Sequence, residues 1–276
     1  MTTSPSSFAV NTYSYIMSHR AEDCLAHLAR QGYREFELML YPGHLWPAEL
    51  DTGGRQALRR FISAQKLRAV TLNMPNIDIN IGAATAEMRE FSLNLLDASV
   101  ELAGDLGVPC VIIGPGKSNP LFPLQKTQMI PYLFAALDRL VPRAEKLGTG
   151  IALENLPIAF LPDADSMMAA LDQYGDRRVG IVYDVANAVF YGEDPGMGLR
   201  RVHDRMCAIH LSDTSRQVYR HDPVGQGIVP FASIASVLRE IRYAKPAILE
   251  IISAAPDASI RDSAEKLAAL GWPVTP

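Results

Sequence analysis

Four side chains able to hold a cation or move a proton close four successive apolar runs in the second half of the chain. Glu154 ends GIALE at 150–154. Asp184 ends VGIVYD at 179–184. His210 stands in MCAIHL at 206–211, and Glu250 in PAILEI at 246–251. Taken singly, each has an ordinary explanation. Glu154 could cap a helix, Asp184 could make an Asx turn, His210 could be a satisfied core histidine, and Glu250 could pair with an arginine. As a set at the ends of consecutive strands they ask for one explanation. A buried carboxylate is costly without compensation. Three carboxylates converging with one imidazole would repel one another unless a cation sat among them. A divalent metal answers both demands, and mixed carboxylate and imidazole ligation with open positions suits Mn²⁺, Mg²⁺, Co²⁺ or Zn²⁺.

The elements that must position these residues alternate along the chain. Apolar runs at 8–15, 35–40, 68–74, 109–114, 150–155, 179–184, 206–211 and 246–251 read as strands. Helical patterns follow near 20–31, 53–65, 84–106, 123–147, 164–174, 195–204, 231–242 and 258–270. Eight pairs in 276 residues give about 34 residues per βα unit, which predicts an α/β fold, one (β/α)8 barrel domain spanning 1–276. Continuous apolar strands such as VIIG and AILEI fit burial on both faces. The glycine fingerprint of an open doubly wound sheet is absent after the first strand. In a barrel, chemistry sits at the C-terminal ends of the strands, where the four residues stand.

Composition narrows the partners. Lys and Arg number 26 against 30 Asp and Glu, a formal charge of −4, which gives no global basic surface for nucleic acid. No apolar run approaches the roughly 18 residues of a membrane span. The first residues have no basic segment before their apolar ones, so no signal peptide is read. Three distant cysteines, Cys24, Cys110 and Cys207, predict reduced thiols in a cytoplasmic protein, with Cys110 and Cys207 as small buried hydrophobes. The expected partner is a small carbohydrate-like substrate, with neither nucleic acid nor membrane, and with room for a homo-oligomer.

The segments IALEN (151–155), GIVYDVANA (180–188), IHLSDTSR (209–216), HDPVGQGIVPF (221–231) and AILEI (247–251) carry a resemblance. The chain resembles the xylose isomerase-like TIM-barrel superfamily, in particular its sugar epimerase and isomerase branch, compared here with the tagatose/psicose 3-epimerases. The resemblance implies that Glu154, Asp184, His210 and Glu250 are the metal ligands, with Mn²⁺ the expected ion. It implies that Glu154 and Glu250 are also the catalytic acid/base pair. It further implies that Arg216, six residues after the histidine ligand, contacts substrate. Two positions depart from the epimerase pattern: Asn187 replaces a histidine three residues after the aspartate ligand, and Phe160 replaces a substrate-contacting glutamate.

The expected reaction is isomerisation or epimerisation of a sugar, keto-sugar or related polyol through a metal-stabilised enediolate. One carboxylate would remove a proton and the other return one on the opposite face. Further expected substrate contacts are Asn187, His221, Trp46, Glu37 and Lys117. Trp46 could stack on a sugar face or pack on the next helix. Glu37 could touch substrate or bond within the barrel. Lys117 could meet a phosphate or carboxylate, and Arg216 could instead pair with Asp213. The apolar loop 74–84 could form a lid. Dehydration by an inosose or 3-dehydroshikimate type lyase is the alternative, since loss of a β-hydroxyl starts from the same intermediate. A zinc-dependent DNA-repair endonuclease of the related branch would need extra histidines where Asn73 and Gly114 stand. A barrel with a vestigial site would bind no metal at all.

Overall fold

The computed structural model describes residues 8–272. Among these, eight parallel strands close into a barrel in sequence order, with the first pairing the last. They are β1 (Ala9–Asn11), β2 (Glu35–Met39), β3 (Arg68–Asn73), β4 (Cys110–Ile113), β5 (Gly150–Glu154), β6 (Gly180–Asp184), β7 (Met206–Leu211) and β8 (Ala247–Leu249). The surrounding helices are α1 (Ala21–Arg30), α2 (Thr52–Ala64), α3 (Ala86–Leu106), α4 (Lys126–Lys146), α5 (Ala164–Tyr174), α6 (Val185–Tyr191), α7 (Pro195–Val202), α8 (Phe231–Glu240) and α9 (Pro256–Ala269). The chain forms the (β/α)8 barrel that the alternation predicts.

The period of two along each strand aims the polar residues inward. Leu153, Tyr183, Ile209 and Leu249 face the helices and join the outer core. Ala152, Val182, Ala208 and Ile248 face the barrel axis, where they form an apolar layer with Ala9, Val70 and Ile112. Two residues beyond each of these four stand Glu154, Asp184, His210 and Glu250. The same step takes β1 from Ala9 to Asn11, so a polar layer lies directly above the apolar one. Register reinforces the convergence: Asp184 pairs with His210, and His210 with Ile248.

Several boundaries differ from the sequence reading for identifiable reasons. The first strand stops at Asn11, because a 3-10 turn takes over at Tyr13–Tyr15. The sixth unit holds two helices, α6 and α7, where one was expected near 195–204. Asp184 caps α6 directly, its carboxylate accepting from the Asn187 N–H at 2.8 Å. Gly192, at φ +101°, ends it in the left-handed conformation that glycine adopts without strain. Cys24 is buried. Cys110 and Cys207 are half-buried, packed against the apolar layer, and all three are free thiols.

The long connection after β7 is tied to Asp213. Its carboxylate accepts the N–H groups of Thr214, Gly225 and Val229 at 2.9, 2.8 and 3.0 Å. Gly227 is required there, since a Cβ would lie 2.1 Å from the Thr214 carbonyl oxygen. This knot turns the loop back and brings His221 to the barrel mouth, where its carbonyl accepts the Ile252 N–H at 2.8 Å.

Candidate metal centre

Glu154, Asp184, His210 and Glu250 are buried, and each offers one donor atom such that all four lie within 4.8 Å of one another. His210 Nδ1 is the hub. It stands 3.0 Å from Glu154 Oε1, 3.0 Å from Glu250 Oε2 and 3.8 Å from Asp184 Oδ2. Asp184 spends its other oxygen on the α6 cap. Asn155 holds Asp184 by both ends of its peptide unit: Oδ1 accepts the Asp184 N–H at 2.7 Å, and Nδ2 donates to its carbonyl at 2.9 Å.

The opposite face of His210 meets Glu37. Nε2 lies 3.1 Å from Glu37 Oε2, which also accepts from Thr71 Oγ1 at 2.6 Å. Glu37 Oε1 accepts from Asn11 Nδ2 at 2.6 Å and Asn73 Nδ2 at 3.1 Å. Four donors thus saturate a carboxylate with no solvent exposure. With a cation among the upper carboxylates, Nε2 would keep its hydrogen toward Glu37 and Nδ1 would offer its lone pair, as metal-binding imidazoles do.

The electrostatics follow from burial and charge. Burial raises the Glu154 and Glu250 carboxyls above their ordinary values despite nearby His210, and Asp184 is pushed up to about 7. Burial alone would lower His210, but Glu37, Glu250 and Glu154 together hold it well above the usual histidine range. Burial would raise Glu37; His210, Thr71 and Asn73 outweigh it and bring the group down. One imidazole is thus shared among four carboxylates, Glu37 below and Glu154, Asp184 and Glu250 above, which leaves the upper three short of positive charge. Asp184 Oδ2 and Glu250 Oε2 are buried with no hydrogen-bond partner. A donor set of three carboxylates and one imidazole, with two orphaned oxygens, fits a divalent cation.

A cavity of about 170 Å³ opens above the cluster. Glu154, Glu250, Asn187, His221, Asn73 and Tyr13 line its inner part. His221 Nδ1 lies 3.0 Å from Ser212 Oγ, 3.4 Å from Glu250 Oε2 and 3.6 Å from Asp184 Oδ2; its Nε2 lies 3.1 Å from Tyr219 Oη. Burial lowers its pKa. Asn187 donates from Nδ2 to the Asn155 carbonyl at 2.9 Å, leaving a buried, unpartnered Oδ1.

The other expected substrate contacts lie elsewhere. Glu37 is beneath His210, walled off from the cavity by its own four donors. Trp46 packs half-buried against the outer core. Lys117 bends onto the backbone, its Nζ donating to the carbonyls of Asn76 and Ile77 at 2.6 Å each. The same segment is tied by Asn80, whose side chain bonds the Lys117 N–H and carbonyl, each at 2.8 Å. Arg216 is exposed on the loop after β7, outside the cavity lining, and forms no ion pair with Asp213, whose oxygens are committed to backbone N–H groups. Phe160 is buried in the outer core.

Asn11, Thr71, Asn155 and Ser212 were not singled out in the sequence. Their signal was a buried-type position occupied by a polar residue: Asn11 lies two residues after Ala9 on an inward face, and Asn155 directly follows a ligand candidate.

Comparison with known proteins bears on this geometry. Uncharacterized protein MJ1311 from Methanocaldococcus jannaschii is 22% identical over 181 residues, 63% of this chain and 61% of its own length. The L-ribulose-5-phosphate 3-epimerase UlaE of Salmonella paratyphi C is 20% identical over 174 residues, 63% of this chain and 60% of its own. The chain thus spans about three-fifths of these curated relatives. In three dimensions, a D-tagatose 3-epimerase-like protein superposes with a TM-score of 0.82 at 19% identity, covering 95% of this chain and 96% of the other. IolI, in a structure with a bound zinc atom, superposes at 0.78 with 17% identity and 96% of each chain covered. No helix of the described residues is long and apolar enough to cross a membrane. The profile of the xylose isomerase-like TIM barrel matches residues 25–270, nearly the whole of the described chain, and the protein belongs to that family.

Proposed function

We propose that this barrel is a divalent-metal-dependent epimerase or isomerase of a keto-sugar. The observation that carries the reading is the convergence of Glu154, Asp184, His210 and Glu250 within 4.8 Å, with two buried oxygens left unpartnered. These four would hold the ion, and three hard oxygen donors with one nitrogen favour Mn²⁺. When bound, the ion supplies Lewis-acid stabilisation of negative charge on a substrate oxygen. Both names, the ribulose-phosphate epimerase and the tagatose epimerase-like protein, support a substrate of the ketose class.

The remaining work belongs to the chain. Glu154 and Glu250 line the cavity from β5 and from the end of β8, so they meet a bound sugar from different directions. One accepts the proton from the carbon beside the carbonyl, and the other donates a proton to the opposite face, inverting that carbon. Asn187 Oδ1 accepts from a substrate hydroxyl. His221, held by Ser212 and Tyr219, bonds a second. The whole constellation is built from one barrel, which we read as the single catalytic domain of the chain. Free thiols throughout fit action in a reducing cytoplasm.

The test is metal analysis followed by NMR of a ketose panel in D₂O with the Mn²⁺-loaded protein. Deuterium at the carbon next to the carbonyl, with an epimeric or isomeric product, is the expected outcome. Loss of water from the substrate would instead assign a lyase. Failure to bind any divalent ion, with melting unchanged by Mn²⁺ or EDTA, would remove the reading altogether.

A further inference from the structure

The outer half of the cavity differs in kind from its floor. Pro75, Ile77, Leu156, Ile158 and Ile252 line it together with Asn76 and Tyr219, and among the described residues no lysine or arginine does. Ile77 is 63% exposed, Ile158 57% and Ile252 39%. These come from three different βα loops, so the apolar surface is contributed from several sides of the entrance rather than by one stray segment. Exposed aliphatic side chains gathered at a cavity mouth lose water only when something apolar covers them.

The two cations nearest in sequence to a role here are spoken for or absent. Lys117 has turned its ammonium onto the Asn76 and Ile77 carbonyls, behind the rim it helps to shape. Arg216 stands outside the lining. The floor presents Glu154 and Glu250, with Asp184 fully buried behind them. No cationic side chain in the lining is placed to balance the charge of an entering phosphate dianion.

Resting on the keto-sugar reading above, we propose that the substrate is neutral and carries an apolar group at its end remote from Glu154 and Glu250. The class is a deoxy or hydrocarbon-substituted keto-sugar, not a sugar phosphate. The rim aliphatics pack on that group while the hydroxyls near the carbonyl meet Asn187 and His221. Each methylene so buried raises affinity roughly fourfold.

The full-length, Mn²⁺-loaded protein would be given a 6-deoxyketohexose, the parent ketohexose and its 6-phosphate. Two readouts apply to each: deuterium exchange beside the carbonyl, and the shift in melting temperature at equal ligand concentration. The 6-deoxy sugar should exceed the parent several-fold in kcat/KM and give the larger thermal shift. The phosphate should fall at least about 100-fold below the parent and give no shift. Ile77→Ser with Ile158→Ser should reduce the preference for the deoxy sugar, measured as the ratio of the two kcat/KM values. Exchange or stabilisation by the phosphate equal to or above that of the parent would overturn the inference while leaving the epimerase reading intact. Exchange with none of the three would instead overturn the epimerase reading, and the order of the thermal shifts would still decide whether the cavity prefers a neutral apolar ligand.

Discussion

Replacing Glu37 by Gln should weaken metal binding although Glu37 touches neither the cavity nor the expected ion. The substitution preserves shape and removes one acceptor oxygen. Wherever the new amide nitrogen goes, it meets a donor. At the Oε1 position it would face Asn11 Nδ2 and Asn73 Nδ2, now 2.6 and 3.1 Å away. Asn11 cannot simply flip, because its own Oδ1 accepts the Tyr13 N–H at 2.7 Å. At the Oε2 position the amide would face His210 Nε2 at 3.1 Å and force the ring hydrogen to the other nitrogen. That nitrogen is Nδ1, the one that faces Glu154 and Glu250, and a protonated Nδ1 has no lone pair to give. Loss of such an orienting partner lowers metal affinity about 10- to 100-fold, or about 1.4–2.7 kcal/mol. Calorimetric Mn²⁺ titration of both proteins at one pH measures it directly, with circular dichroism as the check on folding. The stabilisation conferred by a fixed Mn²⁺ concentration should shrink in step. A folded Glu37→Gln protein that binds Mn²⁺ within twofold of the parent would refute the assignment of Glu37 as the residue that sets the His210 tautomer.

Other outcomes follow from individual contacts. Glu154→Gln and Glu250→Gln should each slow deuterium exchange by at least about 100-fold; Mn²⁺ content measured on the same samples separates a lost acid/base from a lost ligand. Asp257 accepts from Tyr15 Oη at 2.7 Å and faces His27 Nε2 at 2.9 Å; burial works upward on it, but the bonds to Tyr15, His27 and Gln31 hold its carboxyl at about 2, below the ordinary 3.8. A depressed carboxyl contributes stability above the unfolded value and loses it as pH falls through the folded one. The stability gap between the parent and Asp257→Asn should therefore be present at neutral pH and close between pH 3.8 and about 2. Because the side chain is 45% exposed, the gap should stay below about 1 kcal/mol; urea midpoints across that range that keep a constant gap would contradict it. Gly198→Ala should destabilise by about 1–3 kcal/mol, since its Cβ would meet Tyr183 Oη, which is bonded to Glu193 Oε2 at 2.9 Å; an unchanged denaturation midpoint would show that Tyr183 can move freely.

The barrel and its candidate ligands are readable from sequence for one reason: an ionisable residue closing an apolar run, repeated on β5 through β8 within an eightfold strand–helix alternation, has few other meanings. The pattern fails where the chain leaves its strands. Arg216 matches a family spacing, yet spacing along a loop says little about direction, and the Asp213 knot leaves Arg216 exposed while returning His221 to the mouth. Lys117 illustrates the same limit, since its charge is consumed by carbonyls of a different loop. Glu37 shows a subtler one. Its place inside an apolar strand signals a buried role, but a role fixed by partners on β1, β3 and β7 depends on register across the closed sheet, and the bulge after Phe36 shifts that register between β2 and β3. Thr71 and Asn73 both reach Glu37 in this arrangement. Candidate metal ligands are thus written locally, as strand-end residues. The groups that tune them are written across strands, and only the folded barrel brings them together. Glu37 is the sharper probe of the centre for that reason, because its variant alters the tautomer of His210 while leaving every proposed ligand in place.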